Sequence, residues 1–248
     1  MFNTKLVLAY QGTNYCGFQI QTKSQDPTVQ YHLDKVLSSL FNEEIKTILC
    51  SRTDSGVHAN GQVVNFIHSS NKFTEQRRLV LALNAHLPYD IRVLESESMY
   101  LDFHARYHAK GKLYSYLIDN AIANRPLTNS FSYHVHKKLD FEKMVIASKY
   151  LIGTHDFSSF KGSQGATKTT VRTITRFDLT LDDQYIKIQV EGNGFLYNMV
   201  RIIVGTLIHV GMGKISPEAI KDIIEAKDRM KAGPTAPAKG LILEKIYY

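Results

Sequence analysis

The chain has 248 residues, of which 44% are hydrophobic and 21% are charged, a composition that excludes a disordered or fibrous protein. Lys and Arg outnumber Asp and Glu by 30 to 23, and the formal net charge of +7 favours polyanionic partners, nucleic acid above all. No apolar run reaches the length of a membrane span and the N-terminus does not resemble a signal peptide, so we expect a cytoplasmic protein without membrane association. Two cysteines, Cys16 and Cys50, are too few for a disulfide scaffold and lack zinc-site spacing.

Strands and helices alternate through the first hundred residues. Strands are predicted at residues 5–10, 46–50, 62–67 and 91–95, and helices begin at Thr28, which can cap the first, and at Thr74. Pro88 ends the second helix, because proline cannot continue the backbone hydrogen bonding. This order of elements is typical of an α+β sandwich with helices on one face of a mainly antiparallel sheet.

The second half has a similar order of elements. A basic, histidine-rich connector, residues 103–112, precedes it, and we place the boundary between halves 1–105 and 106–248. A strand at 113–118 puts Tyr114 and Tyr116 on one face. Further predictions are a helix capped by Asp140 and ended by Gly153, a long loop at 160–172, a hairpin of 171–181 with 185–191, helices at 196–210 and from 216, and a last strand at 241–248.

Two possible ligand sites lack essential parts. His104 and His108 are four residues apart, which on a helix could bind a metal, but no third ligand lies nearby and two ordinary polar residues are favoured. Gly192 and Gly194 follow a strand as in a dinucleotide-binding turn, yet Tyr197 occupies the position of the third glycine. Walker A, nucleophile-elbow and zinc-protease motifs are also absent from the sequence.

A polar stretch at residues 51–66 follows the second predicted strand and carries a single carboxylate, Asp54. Arg52 precedes it by two residues and Gly56 follows it by two, a spacing that can hold an acid in a tight turn beside a cation. Two interpretations stay open from these residues alone: a purely local turn, or a catalytic carboxylate on a loop.

A second unusual charge is Arg201, which lies within an apolar helical stretch. A fully apolar environment would leave its charge unsolvated, so the guanidinium either reaches solvent at the helix edge or meets an anion in a cleft. Asp54 is the obvious anionic partner, and such a pair would keep the acid ionised as a nucleophile or base.

Residues 52–59, Arg-Thr-Asp-x-Gly-Val-His-Ala, followed by Gly61-Gln62-Val63, resemble the catalytic motif of the bacterial tRNA pseudouridine synthase A family. Similar segments follow the family order along nearly the whole chain: 10–13, 17–19, 84–88, 103–106, 112–116, 156–157, 170–172, 195–201, 204–205 and 240–241. Four positions depart from the family pattern: Ser51 and Ser55 replace small residues commonly found there, Gln11 replaces an acid and Phe18 replaces a tryptophan. None of these changes removes a catalytic group.

The resemblance implies a pseudouridine synthase fold of two ferredoxin-like α/β halves with a mainly antiparallel mixed sheet and a central catalytic cleft. It also implies a homodimeric enzyme that needs neither metal nor cofactor and isomerises uridine to pseudouridine on the 3′ side of the tRNA anticodon arm. Asp54 would be the nucleophile, attacking either sugar or base, Arg52 and Arg201 would orient it, and Tyr114 would stack on the flipped base. The implied phosphate contacts are His58, Arg106, Lys110, Lys112, Lys161 and Lys168.

Two other classes of protein share parts of this pattern. An RNA-binding module with ferredoxin-like halves and a structural acid at Asp54 would show the same basic charge and strand tyrosines. The interpretation as a nucleotide-cofactor oxidoreductase is supported by Gly192 and Gly194 alone. The role of Asp54 separates the first class from the enzyme.

Overall fold

The computed structural model describes residues 1–21, 27–73, 75–163 and 167–248. The chain forms two compact units, Met1–Lys110 with Ile242–Tyr248, and Gly111–Leu241. The border thus follows Lys110, whereas the sequence prediction placed it after residue 105 and assigned the last strand to the second half. Lys110 lies in the first unit because its backbone N–H donates to the carbonyl of Tyr247, at 2.8 Å.

The first unit is built on a sheet with strand order β4-β1-β3-β10, and a short β2 pairs with β3. The strands are β1 Phe2–Tyr10, β2 Ile48–Leu49, β3 His58–His68, β4 Ile91–Met99 and β10 Leu241–Tyr247. β1 runs antiparallel to both neighbours, while β10 pairs with β3 in parallel. The register of β1 with β3 matches Phe2 to His68 at one end and Tyr10 to Ala59 at the other.

Helices α1, Val29–Phe41, and α2, Gln76–His86, accompany this sheet. The cap predicted at Thr28 is confirmed, because its side chain accepts a hydrogen bond from the N–H of Tyr31. The predicted start of the second helix, Thr74, lies outside the described residues. Apolar residues at helical spacing face inward, and the fully buried ones are Val29, Leu33, Leu37, Leu79 and Leu83.

Strand β3 begins at His58, four residues earlier than the sequence pattern predicted. The polar stretch after β2 is correspondingly shorter, and His58 and Ala59 belong to the sheet. The reason is a partner from the far end of the chain, since His58 lies opposite Ile242 and Ala59 opposite Leu243 in β10. A local alternation of polar and apolar residues carries no information about such a partner.

The second unit contains an antiparallel sheet of order β5-β9-β8-β7, with a short β6 parallel to β5. Its strands are β5 Gly111–Asp119, β6 Tyr133–His134, β7 Gly153–Asp156, β8 Val171–Asp182 and β9 Tyr185–Gly192. The predicted hairpin of β8 and β9 is confirmed, with Asp182 opposite Tyr185. Strand β7 was not predicted, and Gly153 starts it; the preceding helix, predicted to end at Gly153, ends at Lys149.

Three α-helices lie in the described part of the second unit: α3 Phe141–Lys149, α4 Met199–Gly211 and α5 Ala219–Ala226. Asp140 caps α3 as predicted, accepting from the N–H of Lys143. Helix α4 begins three residues later than predicted, because Asn198 adopts a left-handed conformation with φ of 59°. Among the residues that the structure describes, no helix combines the length and apolarity needed to cross a bilayer.

Candidate active site

Asp54 opens a tight turn between β2 and β3. The N–H of Val57 donates to the carbonyl of Asp54 at 3.1 Å, and Gly56 has a φ of +77°. A positive φ at the third position of a four-residue turn is the type II geometry, which favours glycine there. The local turn predicted from the Asp-x-Gly spacing is therefore confirmed, and it leaves Asp54 half-buried and not enclosed in the core.

The segment after β1 packs against the backbone of this turn. The carbonyl of Tyr15 accepts from the N–H of Gly56 at 3.4 Å and from the Ser55 hydroxyl at 3.3 Å. Gly17 has a φ of +84°, and a Cβ atom at that position would lie 2.5 Å from the carbonyl oxygen of Thr53. A side chain larger than hydrogen at Gly17 would thus push against the residue that precedes the candidate nucleophile.

A buried hydroxyl pair ties the start of the turn to β1. The Tyr10 hydroxyl and Thr53 Oγ1 lie 2.7 Å apart, and both residues are buried. Burial raises the pKa of Tyr10 to about 12, against the opposing effect of its hydrogen bonds to Thr53 and Gln62, so the hydroxyl keeps its proton at neutral pH. Because Thr53 immediately precedes Asp54, this pair restricts the backbone from which the carboxylate projects.

The two other charged or titratable residues of the motif differ in exposure. Arg52 is exposed, so its guanidinium can reach a ligand at the surface. His58 is only 2% exposed, and its Nδ1 accepts from the N–H of Gly12 at 3.0 Å. The phosphate contact predicted for His58 is therefore not retained: its position in β3 directs the ring into the fold, where it helps to connect the turn to the segment after β1.

Tyr114 lies on β5 opposite Val190 of β9 and is 6% exposed. Its ring contacts Phe195 edge to face, with centroids 5.3 Å apart and an interplanar angle of 87°. Tyr116, two residues later on the same strand, is fully buried and donates its hydroxyl to the carbonyl of Pro237 at 2.7 Å. The contact with Phe195 orients the Tyr114 ring, which at 6% exposure presents little surface to solvent.

Arg201 lies in the first turn of α4 and is half-buried. Its Nε–H donates to the carbonyl of Ala236 at 2.7 Å, and Nη1 donates to Asn198 Oδ1 at 2.9 Å. Both of these acceptors are neutral, and the two bonds orient the guanidinium. The structure thus shows how an arginine is accommodated in an apolar helix: the main chain of a distant loop holds it.

This loop, residues 229–237, is itself fastened to α4. Thr206 Oγ1 accepts from the N–H of Gly233 at 2.9 Å, and the carbonyl of Arg201 accepts from the N–H of Ala236 at 3.1 Å. Next to it, Gly162, Ser163, Tyr197, Asn198 and the loop line a cavity of about 550 Å³. Asn198, which accepts a hydrogen bond from Arg201 Nη1, therefore lines a space within the usual size range of ligand pockets.

The remaining predicted phosphate contacts are distributed over both units. Arg106 and Lys110 are exposed in the first unit, whereas in the second Lys168 is exposed and Lys112 and Lys161 are half-buried. Residues 164–166, within the predicted long loop, lie outside the described residues. In the ranges that the structure describes, no group of three or more His, Cys, Asp or Glu side chains could hold a metal ion.

Gly192, the first glycine of the pair resembling a dinucleotide-binding turn, has a structural explanation. A Cβ atom at Gly192 would lie 2.6 Å from the carbonyl oxygen of Thr173, because β9 approaches β8 closely at this point. Glycine at position 192 thus serves the sheet rather than a phosphate, and the oxidoreductase interpretation loses its remaining support.

Several residues that build the site were not singled out as site residues from the sequence: Tyr10, Thr53, Asn198, Ala236 and Phe195. Four of them act through a partner that is distant in sequence or through a backbone atom, and Asn198 accepts through its side chain from Arg201, three residues later. The available signal was the family resemblance, because Tyr10, Thr53, Phe195 and Asn198 lie within segments that resemble the family.

Comparison with protein families identifies the class to which this fold and site belong. The profile of the family described as tRNA pseudouridine synthase matches residues 6–108 and 147–248, and the chain belongs to this family. Its α+β architecture with mainly antiparallel strands, the predicted fold class, is thereby confirmed, as is the predicted activity class of an isomerase acting on tRNA uridine.

Individual relatives narrow the comparison further. The chain is 50% identical to the tRNA pseudouridine synthase A of Acetivibrio thermocellus over 248 residues, which is 100% of both chains. It is 46% identical to the protein of the same name from Clostridium acetobutylicum, again over 100% of both chains. A third relative of that name, from a Thermoanaerobacter species, is 47% identical over 250 residues. The similarity therefore extends over both units.

Proposed function

We propose that this enzyme converts uridines in the anticodon arm of tRNA to pseudouridine, and that the Asp54 carboxylate is the nucleophile. The observation that carries the assignment of Asp54 is the geometry of its turn. Contacts with Tyr15, Gly17 and Tyr10 position the backbone of the turn, and Asp54 itself is half-buried. A positioned carboxylate with access to solvent is suited to covalent catalysis.

The isomerisation requires no change in composition, only an exchange of bonds. The carboxylate oxygen forms a covalent bond to the target nucleotide, the bond between C1′ and N1 breaks, the base turns, and C5 joins C1′. N1 gains a proton and C5 loses one, and release of the carboxylate regenerates Asp54. Because one carboxylate suffices for this sequence, a second acid is not needed.

The test is Asp54→Asn, which keeps the size of the side chain and removes its nucleophilicity. We expect pseudouridine formation in a tRNA transcript to fall below detection while the dissociation constant for tRNA changes less than about threefold, since one side chain supplies few of the phosphate contacts. Asp182→Asn, at the exposed end of β8, is the matched control and should retain full turnover. Multiple turnovers by Asp54→Asn would refute the nucleophile and favour a structural acid in an RNA-binding module.

Arg201 and Arg52 supply the positive charge in this proposal. Arg201 is the more firmly held of the two, through the Ala236 carbonyl and Asn198, and its orientation favours an anionic group in the reaction. Arg52 is exposed two residues before the nucleophile and is free to approach the RNA at the target nucleotide. We expect Arg201→Ala mainly to lower kcat and Arg52→Ala to change both kcat and the affinity for tRNA.

Tyr114 is the proposed stacking partner of the target base, which must leave its helical stack before it can react. Its ring plane is fixed by Phe195, and one stacked base contributes about 1–3 kcal/mol. Tyr114→Phe should therefore retain most substrate affinity and Tyr114→Leu should lose it. Equal losses in both variants would show that the hydroxyl, and not the aromatic face, is required.

The anticodon arm and the phosphate contacts can be examined together. Mapping of pseudouridine in tRNA from cells with and without the enzyme should show losses confined to neighbouring positions on the 3′ side of that arm. Modification elsewhere would overturn the proposed target region. Alanine substitutions of Arg106, Lys110, Lys112, Lys161 and Lys168 should each weaken binding and reduce its dependence on salt.

Assembly and cellular location belong to the same proposal. We infer a cytoplasmic homodimer from the resemblance to the bacterial family and from the access to tRNA that the activity requires. Light scattering of the purified protein should give twice the mass of one chain, and a monomer at micromolar concentration would contradict the dimer. Fractionation of the source cells would test the location.

A further inference from the structure

The segment after β4 carries an exposed group of aromatic and basic side chains that the catalytic assignment does not use. Tyr107 is 75% exposed, and its ring lies against His104 with centroids 4.2 Å apart and an interplanar angle of 32°. The guanidinium of Arg106 lies 6.0 Å from the centre of the same ring. We refer to His104, Arg106 and Tyr107 as the Tyr107 platform.

Two buried asparagines fix the segment that leads into the platform. Asn3 and Asn65 are each 1% exposed, on β1 and β3, and Asn65 Nδ2 donates to Asn3 Oδ1 at 3.0 Å. Asn3 Nδ2 also donates to the carbonyl of Phe103 at 2.9 Å, and Asn65 Oδ1 accepts from the N–H of Ala105 at 2.9 Å. Buried amides with several partners hold the main chain firmly, because breaking any of these bonds would leave a polar group unsatisfied.

Local hydrogen bonds then set the shape of the platform itself. His104 Nδ1 accepts from the N–H of Arg106 at 3.1 Å, and His108 Nδ1 accepts from the N–H of His104 at 3.1 Å. Both histidines therefore stabilise a compact backbone. The outcome is an exposed ring on an ordered support, which reduces the entropy that would be lost when a ligand stacks on it.

The platform lies far along the sheet from the candidate nucleophile. Asn65 is seven residues beyond His58 on β3, and a strand rises about 3.3 Å per residue, so roughly 20 Å separate the anchor from the end of the strand next to the Asp54 turn. A ligand group at Tyr107 is consequently not the target uridine.

We infer that Tyr107 stacks on an unpaired base of the tRNA outside the target site, while Arg106 and the nearby exposed Lys110 contact adjacent phosphates. This inference rests on the tRNA substrate of the proposed function. An exposed aromatic ring beside the guanidinium of Arg106, in a chain of net charge +7, matches the combination of base faces and phosphates that unpaired RNA presents. Asp102 is the one acid within residues 100–110, so the local charge is positive.

The test compares two exposed tyrosines of the same unit. Tyr107→Ala should weaken binding of full-length tRNA about 5- to 100-fold, the loss of one stacked base, while kcat at saturating tRNA stays within twofold of the parent enzyme. Tyr107→Phe, which keeps the aromatic face, should bind within about twofold of the parent. Tyr89→Ala removes a ring that is 80% exposed and should leave both constants unchanged.

The outcomes separate this inference from the proposed function. If the parent enzyme forms pseudouridine and Tyr107→Ala binds tRNA as tightly as Tyr89→Ala, the platform is refuted and the catalytic assignment stands. If Tyr107→Ala instead dissociates the protein in light scattering without RNA, the ring belongs to an interface between copies and the inference is equally overturned. Loss of kcat in Tyr107→Ala at saturating tRNA would also contradict a contact remote from the reaction.

Discussion

The Asp54 turn in the first unit and the Arg201 anchor in the second hold their charged groups in different ways. Asp54 has a short side chain, and its position follows from backbone contacts with Tyr15, Gly17 and Thr53. Arg201 has a long side chain, and hydrogen bonds to Ala236 and Asn198 hold the guanidinium itself. Immobilising an arginine costs about 1.5–2 kcal/mol of side-chain entropy, so it needs acceptors near its end. Substitutions that displace the backbone should thus damage the Asp54 turn, whereas substitutions that alter the side chain should damage the Arg201 anchor.

Apart from removal of the Asp54 carboxylate itself, the largest effect is expected from Gly17→Ala. The new Cβ atom would lie 2.5 Å from the Thr53 carbonyl oxygen, and a displacement of about 1 Å at a catalytic group can lower turnover about 100-fold. We expect a loss of that size in kcat for pseudouridine formation. Gly213→Ala is the matched control, since Gly213 also has a positive φ, +73°, but no atom lies within 4 Å of its Cβ position. Both variants should lose about 1 kcal/mol of stability from backbone strain, and equal turnover in the two would remove the argument for the turn.

The second unit should respond most strongly to Arg201→Lys. Lysine keeps the charge, but one ammonium group cannot reproduce the planar fork that reaches both Ala236 and Asn198. We expect kcat to fall about 10- to 100-fold with little change in melting temperature, measured by single-turnover assays and thermal unfolding. Arg77→Lys, at an exposed position of α2, controls for the substitution itself. Unchanged turnover in Arg201→Lys would mean that charge alone is sufficient.

A smaller effect should follow from Tyr10→Phe, which removes the hydroxyl next to Thr53 Oγ1. The expected loss is about 1 kcal/mol in unfolding free energy and about three- to tenfold in kcat, with KM nearly constant. Tyr185→Phe breaks the same kind of pair, because the Tyr185 hydroxyl lies 2.8 Å from Thr128 Oγ1, and it should cost similar stability without affecting kcat. A double-mutant cycle with Thr53→Val should show coupling in kcat, and independent effects would indicate that the pair does not position the turn.

The smallest effect concerns the salt dependence of tRNA binding. Measuring it for variants of each unit compares the basic residues of the two units. Replacing one lysine that contacts a phosphate should lower the slope of log K against log salt by about 1, without changing kcat. Lys168→Ala in the second unit and Lys110→Ala in the first can be measured side by side by filter binding at several salt concentrations. If a variant retains the full slope, the lysine that it lacks does not contact a phosphate.

Local signals in the sequence were sufficient for most regular elements and for the chemistry of the candidate residues. Thr28 and Asp140 were identified as caps because the bond from a cap side chain to the third following N–H is a local property. The turn at Asp54 was predictable for the same reason, since Gly56 two positions later permits the positive φ. The start of β3 was predicted four residues too late, because it depends on pairing with β10.

What the sequence determined by itself is the set of reactive groups and the local conformations: a carboxylate on a tight turn, a tyrosine on a strand and an arginine in an apolar helix. What only the tertiary structure decided is how each is held. Tyr10 meets Thr53 across 43 residues, Arg201 meets Ala236 across 35, and Asn65 meets Ala105 across 40. Such pairs follow no period along the chain, because they depend on which strands and loops pack together, and sequence spacing does not encode that choice.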